Sequence, residues 1–258
     1  MPRILLPFEH KEQAGSSRRD PQESDELYRL LPEPLQTACQ ENRHLWDYLC
    51  LLPLDNMPIP EYAVELKRSH GDQKQYNLIY PVKGNTFVHL YSGPGGGMAT
   101  YIPIEPDLTQ DLSAVLPRVE ERLLDEATAL AEAESDEQKT EAFLQLVDKV
   151  CQRNGASAAS SNAGSDKGKN GKSKDSGDKV KVTPEQLEAL KYIIVRDKVG
   201  MGTIDPMIRD THIEDISCSG LGHIFLEHKV FKGIQAATVF ESYDDLDDFA
   251  LSLSEHIT

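Results

Sequence analysis

What the sequence lacks narrows it first. No stretch approaches the ~20 apolar residues that a membrane-spanning helix needs, and the apolar start of MPRILLPFEH is broken at Pro7. Any membrane role is therefore expected to be peripheral. Cysteine is sparse: Cys39, Cys50, Cys151 and Cys218 form no CxxC pair. With no signal-peptide pattern ahead of them, the expected setting is a reducing cytoplasm rather than a disulfide framework. His44 lies between Cys39 and Cys50, but two thiols and one imidazole fall short of the four ligands of a structural zinc site. Free thiols, buried or half-buried, are the expectation. Basic residues are also few, 27 Lys and Arg against 43 Asp and Glu, for a formal net charge of −16. That balance excludes general binding to a phosphate backbone, which needs basic stripes. It fits a chain kept soluble by self-repulsion, as in halophiles, or an ordinary acidic cytosolic protein.

What is present suffices for one large or two small cored domains, with 39% hydrophobic residues in 258. The fold class expected is α+β: two small α/β units joined by a disordered linker. Residues 1–24 read as a flexible tail, through KEQAGSSRRDPQES. Residues 25–152 form the first unit. Leu35, Ala38, Leu45, Trp46, Leu49 and Leu52 share a helical face, with Trp46 as core anchor, until Pro53, Pro58 and Pro60 end the helix. Three strands follow, in YNLIYPV, TFVHLY and ATYIPI. Lys83-Gly84-Asn85 turns between the first two. SGPGGG, between the second and third, reads as a hairpin loop, since a phosphate cradle needs a strand-to-helix setting. Glu105 marks a strand end. Two helices then form a hairpin expected to cover this three-stranded sheet. The first carries Leu112, Val115, Leu116, Val119 and Leu123, kinked or restarted at Pro117. The second, capped by Ser135 with Gln138, carries Phe143, Leu144, Val147 and Val150.

Residues 153–182 are the linker, rich in Ser, Gly and Lys, with seven basic and three acidic residues. No aromatic residue is interleaved to stack on bases, so no nucleic-acid partner is expected. The run DKGKNGKS at 166–173 ends like a phosphate-binding loop. Asp166 replaces the first glycine, no apolar strand precedes it and no amphipathic helix follows at once, so it is a decoy.

Residues 183–258 form the second unit. Thr183, Pro184 and Gln186 spell a capped helix start. Leu187, Leu190, Ile193, Ile194 and Val199 bury one side of that helix, and Gly200 suits a left-handed C-cap. Asp205-Pro206 opens a short turn through Arg209 and Asp210. A meander follows over 215–219, 223–231 and 234–240, with Cys218 placed in the core. Ser242 caps a last helix whose Leu246, Phe249, Ala250 and Leu253 face the sheet.

The stretch Tyr192 to Lys229, YIIVRDKVGMGTIDPMIRDTHIEDISCSGLGHIFLEHK, resembles the N-terminal region of archaeal type II and type IV secretion-system ATPases, the motors of pilus assembly and of the archaellum. The likeness lies in a helix ending in Arg196-Asp197, a turn punctuated by Gly200 and Gly202, the pair Arg209-Asp210, and the acidic strand IEDISCSG. It covers 183–258 well, 76–130 loosely, and the tail and linker not at all. The resemblance implies that 183–258 is a PAS-like domain packed beside a RecA-like ATPase domain of the same or an adjacent gene product. It further implies a homohexameric ring, a membrane platform protein as partner, a location at the inner face of the cell membrane, and ATP and Mg²⁺ as the family's cofactors. Gly200 and Gly202 are the expected hinge. Arg196 and Arg209 are the candidate nucleotide or interdomain contacts; alternatively they pair with Asp197, Asp210, Glu214 or Asp215 and only pin the turn. No intact phosphate loop is present, so the chain has no cofactor of its own and is expected to be inactive alone. The expected function is the non-catalytic, platform- and ring-contacting portion of such an ATPase. The alternative is a stand-alone adaptor or a truncated gene product docking to the platform. Pilus, archaellum and secretion system are not distinguished.

Overall fold

The fold is α+β, and the computed structural model describes residues 3–8, 21–93, 95–125, 135–153 and 179–257. Strand β1 (Arg3–Ile4) lies within the expected tail, whose residues 9–20 are outside the described residues. The single helix expected over 25–52 is three: α1 (Pro21–Leu30), α2 (Glu33–Glu41) and α3 (Arg43–Leu51). Pro34 explains the first break, because proline is tolerated only in a helix's first turn. Asn42, extended at φ −129°, closes α2 and opens α3. Trp46 is half-buried and meets Tyr28 edge-on, ring centroids 5.5 Å apart.

The remaining elements are β2 (Glu61–Tyr62), β3 (Asn77–Pro81), β4 (Phe87–Tyr91), β5 (Thr100–Ile104), α4 (Leu116–Asp125), α5 (Asp136–Val150), β6 (Cys151–Arg153), β7 (Val180–Val182), α6 (Pro184–Lys198), α7 (Asp205–Arg209), β8 (Ile213–Ser217), β9 (Gly222–His228), β10 (Lys232–Phe240) and α8 (Tyr243–Ile257). The main sheet runs β2-β3-β4-β5-β10-β9-β8, with β1 also on β10. β3–β4–β5 and β8–β9–β10 are antiparallel meanders, as their alternating patterns and glycine turns suggest. They are joined by one parallel pair, Gln235 opposite Thr100 and Ala236 opposite Tyr101. The strands of the two expected units therefore belong to one sheet.

Each face of that sheet has its own core. Ile79, Phe87, Ile102, Ile104 and Ala237 pack under Leu35, Leu45 and Leu49 of α2 and α3. On the other face Leu78, Tyr80, Val88, Tyr101, Leu226 and Ile234 meet Met207 of α7, with Leu246, Phe249 and Leu253 of α8 at the margin. Ala250, expected to face the sheet, is exposed because the apolar stripe of α8 is narrower than its sequence suggests. Ser242 caps α8 as expected, its hydroxyl accepting from the backbone N–H of Asp245 at 3.1 Å.

The chain divides into two compact units, Met1–Thr109 with Gly200–Thr258, and Gln110–Val199. The α4–α5 hairpin lies in the second unit, where Val119, Val147 and Val150 share a core with Leu190 and Ile194 of α6. That core, rather than the three-stranded sheet, takes the hairpin's apolar face. Thr183 and Gln186 form the expected reciprocal cap of α6, each side chain accepting from the other's backbone N–H at 3.1 Å. The ends of the expected linker are strands. β6 and β7 pair in parallel, Cys151 opposite Val180 and Arg153 opposite Val182, with both valines buried. The alternation of Lys179-Val180-Lys181-Val182 carries that strand signal. The bulk of the linker, with the decoy at 166–173, lies outside the described residues.

Cys39 and Cys151 are buried, as expected of structural thiols, and burial pushes them up to about 12 and about 11. Cys218, placed in the core by sequence, is exposed just beyond the end of β8. Among the described residues no helix is long and apolar enough to cross a membrane.

Candidate functional site

The expected hinge divides between two residues with different roles. α6 ends with Val199 N–H on Val195 O at 2.9 Å, and Gly200 does not take the left-handed conformation expected of it. Gly202 does, at φ +57°, where a side chain would be strained. It opens a short 3-10 turn, Gly202–Ile204, that runs directly into α7.

Arg196 and Arg209 lie in different units. Arg196 holds Asp197 at 2.8 Å and lies 5.9 Å from the centroid of the Tyr192 ring. Arg209 pairs with Asp205, four residues earlier on α7 and almost fully buried. Asp205 was not among the expected partners; it also accepts the Met201 backbone N–H at 3.1 Å, so it ties the glycine turn to α7. Both arginines are thus engaged with local acids.

The residues that do converge are ones the sequence reading passed over. Asp210 was taken as the acidic half of an Arg-Asp pair. It turns inward instead, 3% exposed, where α7 gives way to β8. Its Oδ2 accepts from the Tyr80 hydroxyl of β3 at 2.8 Å and from the Tyr101 hydroxyl of β5 at 3.3 Å. Its Oδ1 accepts from the His212 backbone N–H at 2.9 Å and meets that residue's Nδ1 at 3.1 Å. The Asp-x-His spacing makes this an Asx-type turn, the one local signal that could have drawn attention to it. One carboxylate therefore ties the middle of the sheet to the start of the C-terminal meander.

His228, at the end of β9, completes the cluster. Its ring stacks on that of His212, centroids 5.6 Å apart and 6° between planes. Its Nδ1 accepts the backbone N–H groups of Val230 at 3.0 Å and Phe231 at 3.3 Å. An accepting Nδ1 places the ring proton of the neutral imidazole on Nε2, which faces the Tyr80 hydroxyl at 3.4 Å. The hydrogen bonds then run one way: His228 Nε2–H to Tyr80, and Tyr80 O–H to Asp210, with His212 Nδ1–H arriving at the same carboxylate. Burial, with His212 and Lys229 adding like charge, holds His228 down at about 4 despite Asp210, so it is neutral near pH 7. Burial raises the Tyr80 hydroxyl well above its ordinary value, with Tyr101 and Asp210 acting the same way.

Asp210, His212 and His228 each offer a ligand atom within 4.8 Å of the others. The donor chemistry does not fit a metal ion. His228 has spent its Nδ1 lone pair on two backbone N–H groups and carries a proton on Nε2, so no lone pair faces the cluster. Nor is a nucleophile held by a base: among the described residues, His212 makes no hydrogen bond to a Ser, Thr or Cys. The cluster is a buried hydrogen-bonded hub, with His212, its side chain 31% exposed, as the member that reaches solvent.

No known protein-family profile matches the chain. It is similar to two proteins of Methanocaldococcus jannaschii. The uncharacterized protein MJ0900 is 28% identical over 223 residues, which are 86% of this chain and 39% of that protein. The uncharacterized protein MJ1288 is 28% identical over 161 residues, 60% of this chain and 52% of that protein. The chain thus spans about two fifths of the length of one relative and about half of the other.

Proposed function

We propose that this chain is the non-catalytic, platform- and ring-contacting region of a secretion or type IV pilus assembly ATPase. On this reading it works at the inner face of the membrane and transmits the motion of a RecA-like partner domain that binds ATP and Mg²⁺. The observation that carries the reading is the run from α6 to β8. It keeps the order of the resemblance: a capped helix ending in Arg196-Asp197, a glycine turn, a short helix ending in Arg209-Asp210, then the acidic strand. Two structural features support it. Gly202 supplies a joint between α6, which belongs to one compact unit, and α7, which belongs to the other. The hub at Asp210 then fixes the far side of that joint to the sheet, so that a rotation at the glycines would move the unit as a body. The archaeal relatives, each substantially longer than the region matched, suit a chain that functions beside a further domain.

The test has two parts. The purified 258-residue chain should turn over no ATP. Co-expressed with a polypeptide bearing a strand–GxxxxGK[ST]–helix motif, encoded after codon 258 or in the adjacent gene, it should enter a ring of six and raise ATP turnover. ATP hydrolysis by the chain alone, or the absence of any such coding sequence nearby, ends this reading.

A further inference from the structure

The sheet stops at β8, which among the described residues pairs only with β9. An edge strand offers a row of unpaired backbone N–H and C=O groups. The two sides of β8 differ in chemistry. Ile216 stands opposite Leu226, and Leu226 opposite Ile234, so a buried apolar row runs outward and ends on a half-exposed isoleucine. Ile213 lies on the same side, with a bulge between it and Asp215. The other side carries Asp215 opposite Glu227, and Ser217 opposite Phe225. Phe225 is 41% exposed and stands opposite Gln235 of β10, while Glu227 stands opposite Gly233, which adds no side chain.

The pair Asp215–Glu227 is the informative feature. Like charges directly opposite on neighbouring strands are destabilising, and neither carboxylate enters an ion pair among the described residues. Glu214, next to Asp215 on β8, adds a third exposed acid. The arrangement selects among possible occupants. A second copy of β8 would set Glu214 and Asp215 against their own counterparts, so self-pairing is repelled. A phosphate-rich ligand is repelled likewise. A basic extended segment is attracted: its cations offset the Asp215–Glu227 repulsion, and its alternate residues prolong the row from Ile234 to Ile216.

We infer that β8 is a docking edge for a partner protein's extended segment in which basic and apolar residues alternate. The segment adds as a further strand, its Lys or Arg side chains over Asp215, Glu227 and Phe225 and its apolar side chains beside Ile213 and Ile216. This inference does not rest on the ATPase reading, and the experiment below is blind to ATP turnover and ring formation.

The probe is a capped heptapeptide of alternating lysine and valine, with an alternating glutamate–valine peptide as control. Each is titrated into the full ¹⁵N-labelled chain. The lysine peptide should shift the amides of 213–217 and 225–227 saturably and slow hydrogen exchange on β8, and the control should do neither. In the double variant Asp215→Lys/Glu227→Lys, on exposed positions that leave the amide spectrum of the core intact, the preference should reverse by about tenfold in affinity. The inference is overturned if the lysine peptide's shifts spread over the acidic residues of α8 without protecting β8. It is equally overturned if the double variant keeps the original preference.

Discussion

Two buried histidines in one compact unit use the same tautomer for different ends. His89, on β4, is fully enclosed. Its Nδ1 pairs with the Tyr48 hydroxyl of α3 at 2.7 Å and its Nε2 with Asn77 Oδ1 of β3 at 2.8 Å. Asn77 donates its amide to Pro58 O at 2.8 Å, which fixes Oδ1 as the acceptor and hence Nε2 of His89 as the donor. His228 likewise accepts at Nδ1 and donates from Nε2. The first network contains no charge and reaches the surface at the half-buried Asn77; it is a polar rivet between a helix layer and a sheet. The second contains a carboxylate and ends on a half-exposed ring. Both satisfy their buried groups, but only the second does so around a charge. Enclosure alone therefore does not distinguish the two histidines; the charge that His228 shares with Asp210 does.

Lowering the pH should produce the largest effect and rank the two sites. Burial holds His89 at about 3 and His228 at about 4, against an ordinary value of 6.5. Each folded-state value is depressed, so the unfolded chain takes up protons first. The stability each contributes is complete above pH 6.5 and is lost as pH falls through the folded value. At 1.36 kcal/mol per unit, the losses are about 5 kcal/mol for His89 by pH 3 and about 3 kcal/mol for His228 by pH 4. Denaturant titrations between pH 7 and 3.5 should show this slope. His89→Gln should flatten it more than His228→Gln; the reverse order would mean that the enclosed network is the more permissive of the two.

Removing the charge separates the networks next. Asp210→Ala takes the acceptor from the Tyr80 hydroxyl and from two His212 N–H donors, while Tyr101 keeps the Pro206 carbonyl at 3.4 Å, and should cost about 3–5 kcal/mol at neutral pH. Tyr48→Phe leaves one imidazole nitrogen without its donor and should cost about 1–3 kcal/mol. Equal losses, measured by urea unfolding, would show that the carboxylate does not distinguish the hub.

A smaller effect reaches the hub through its backbone. A Cβ on Gly71 would stand 2.2 Å from the Val230 carbonyl oxygen, in the turn that supplies the His228 Nδ1 donors. Backbone cannot step aside as a side-chain tip can. Gly71→Ala should cost about 1–3 kcal/mol and speed amide exchange at Val230 and Phe231, while Tyr48 and His89 keep their shifts. Disturbance of both networks would make them one cooperative body.

How much of this was legible depends on distance along the chain. The caps at Thr183 and Ser242, the turn at Gly84 and the meander strands were readable because each is settled within a few residues. The parallel β5–β10 pair was not, since nothing near Thr100 encodes its meeting with Gln235. Asp210 was misjudged for the same reason: beside Arg209 it reads as a surface ion pair, and only Tyr80 and Tyr101, 130 and 109 residues away, draw it inward. Val180 and Val182 were lost in a stretch whose average composition is that of a linker, although their own alternation was that of a strand.

The smallest expected effect is no effect, and it tests the tautomer on which the comparison rests. If His228 Nδ1 holds its two backbone donors, Zn²⁺ finds at most the carboxylate and His212, and a ligand that binds weakly stabilises little at modest excess. Added Zn²⁺ at ten equivalents should move Tm by less than about 1 °C. If His228 instead turned over, Val230 and Phe231 would lose their acceptor while a second nitrogen, and so a third ligand, joined the cluster. Tm would then rise with Zn²⁺ concentration, and the rise would vanish in His228→Gln. Such a rise would make the second network a metal centre, and the shared tautomer of the two histidines would no longer hold.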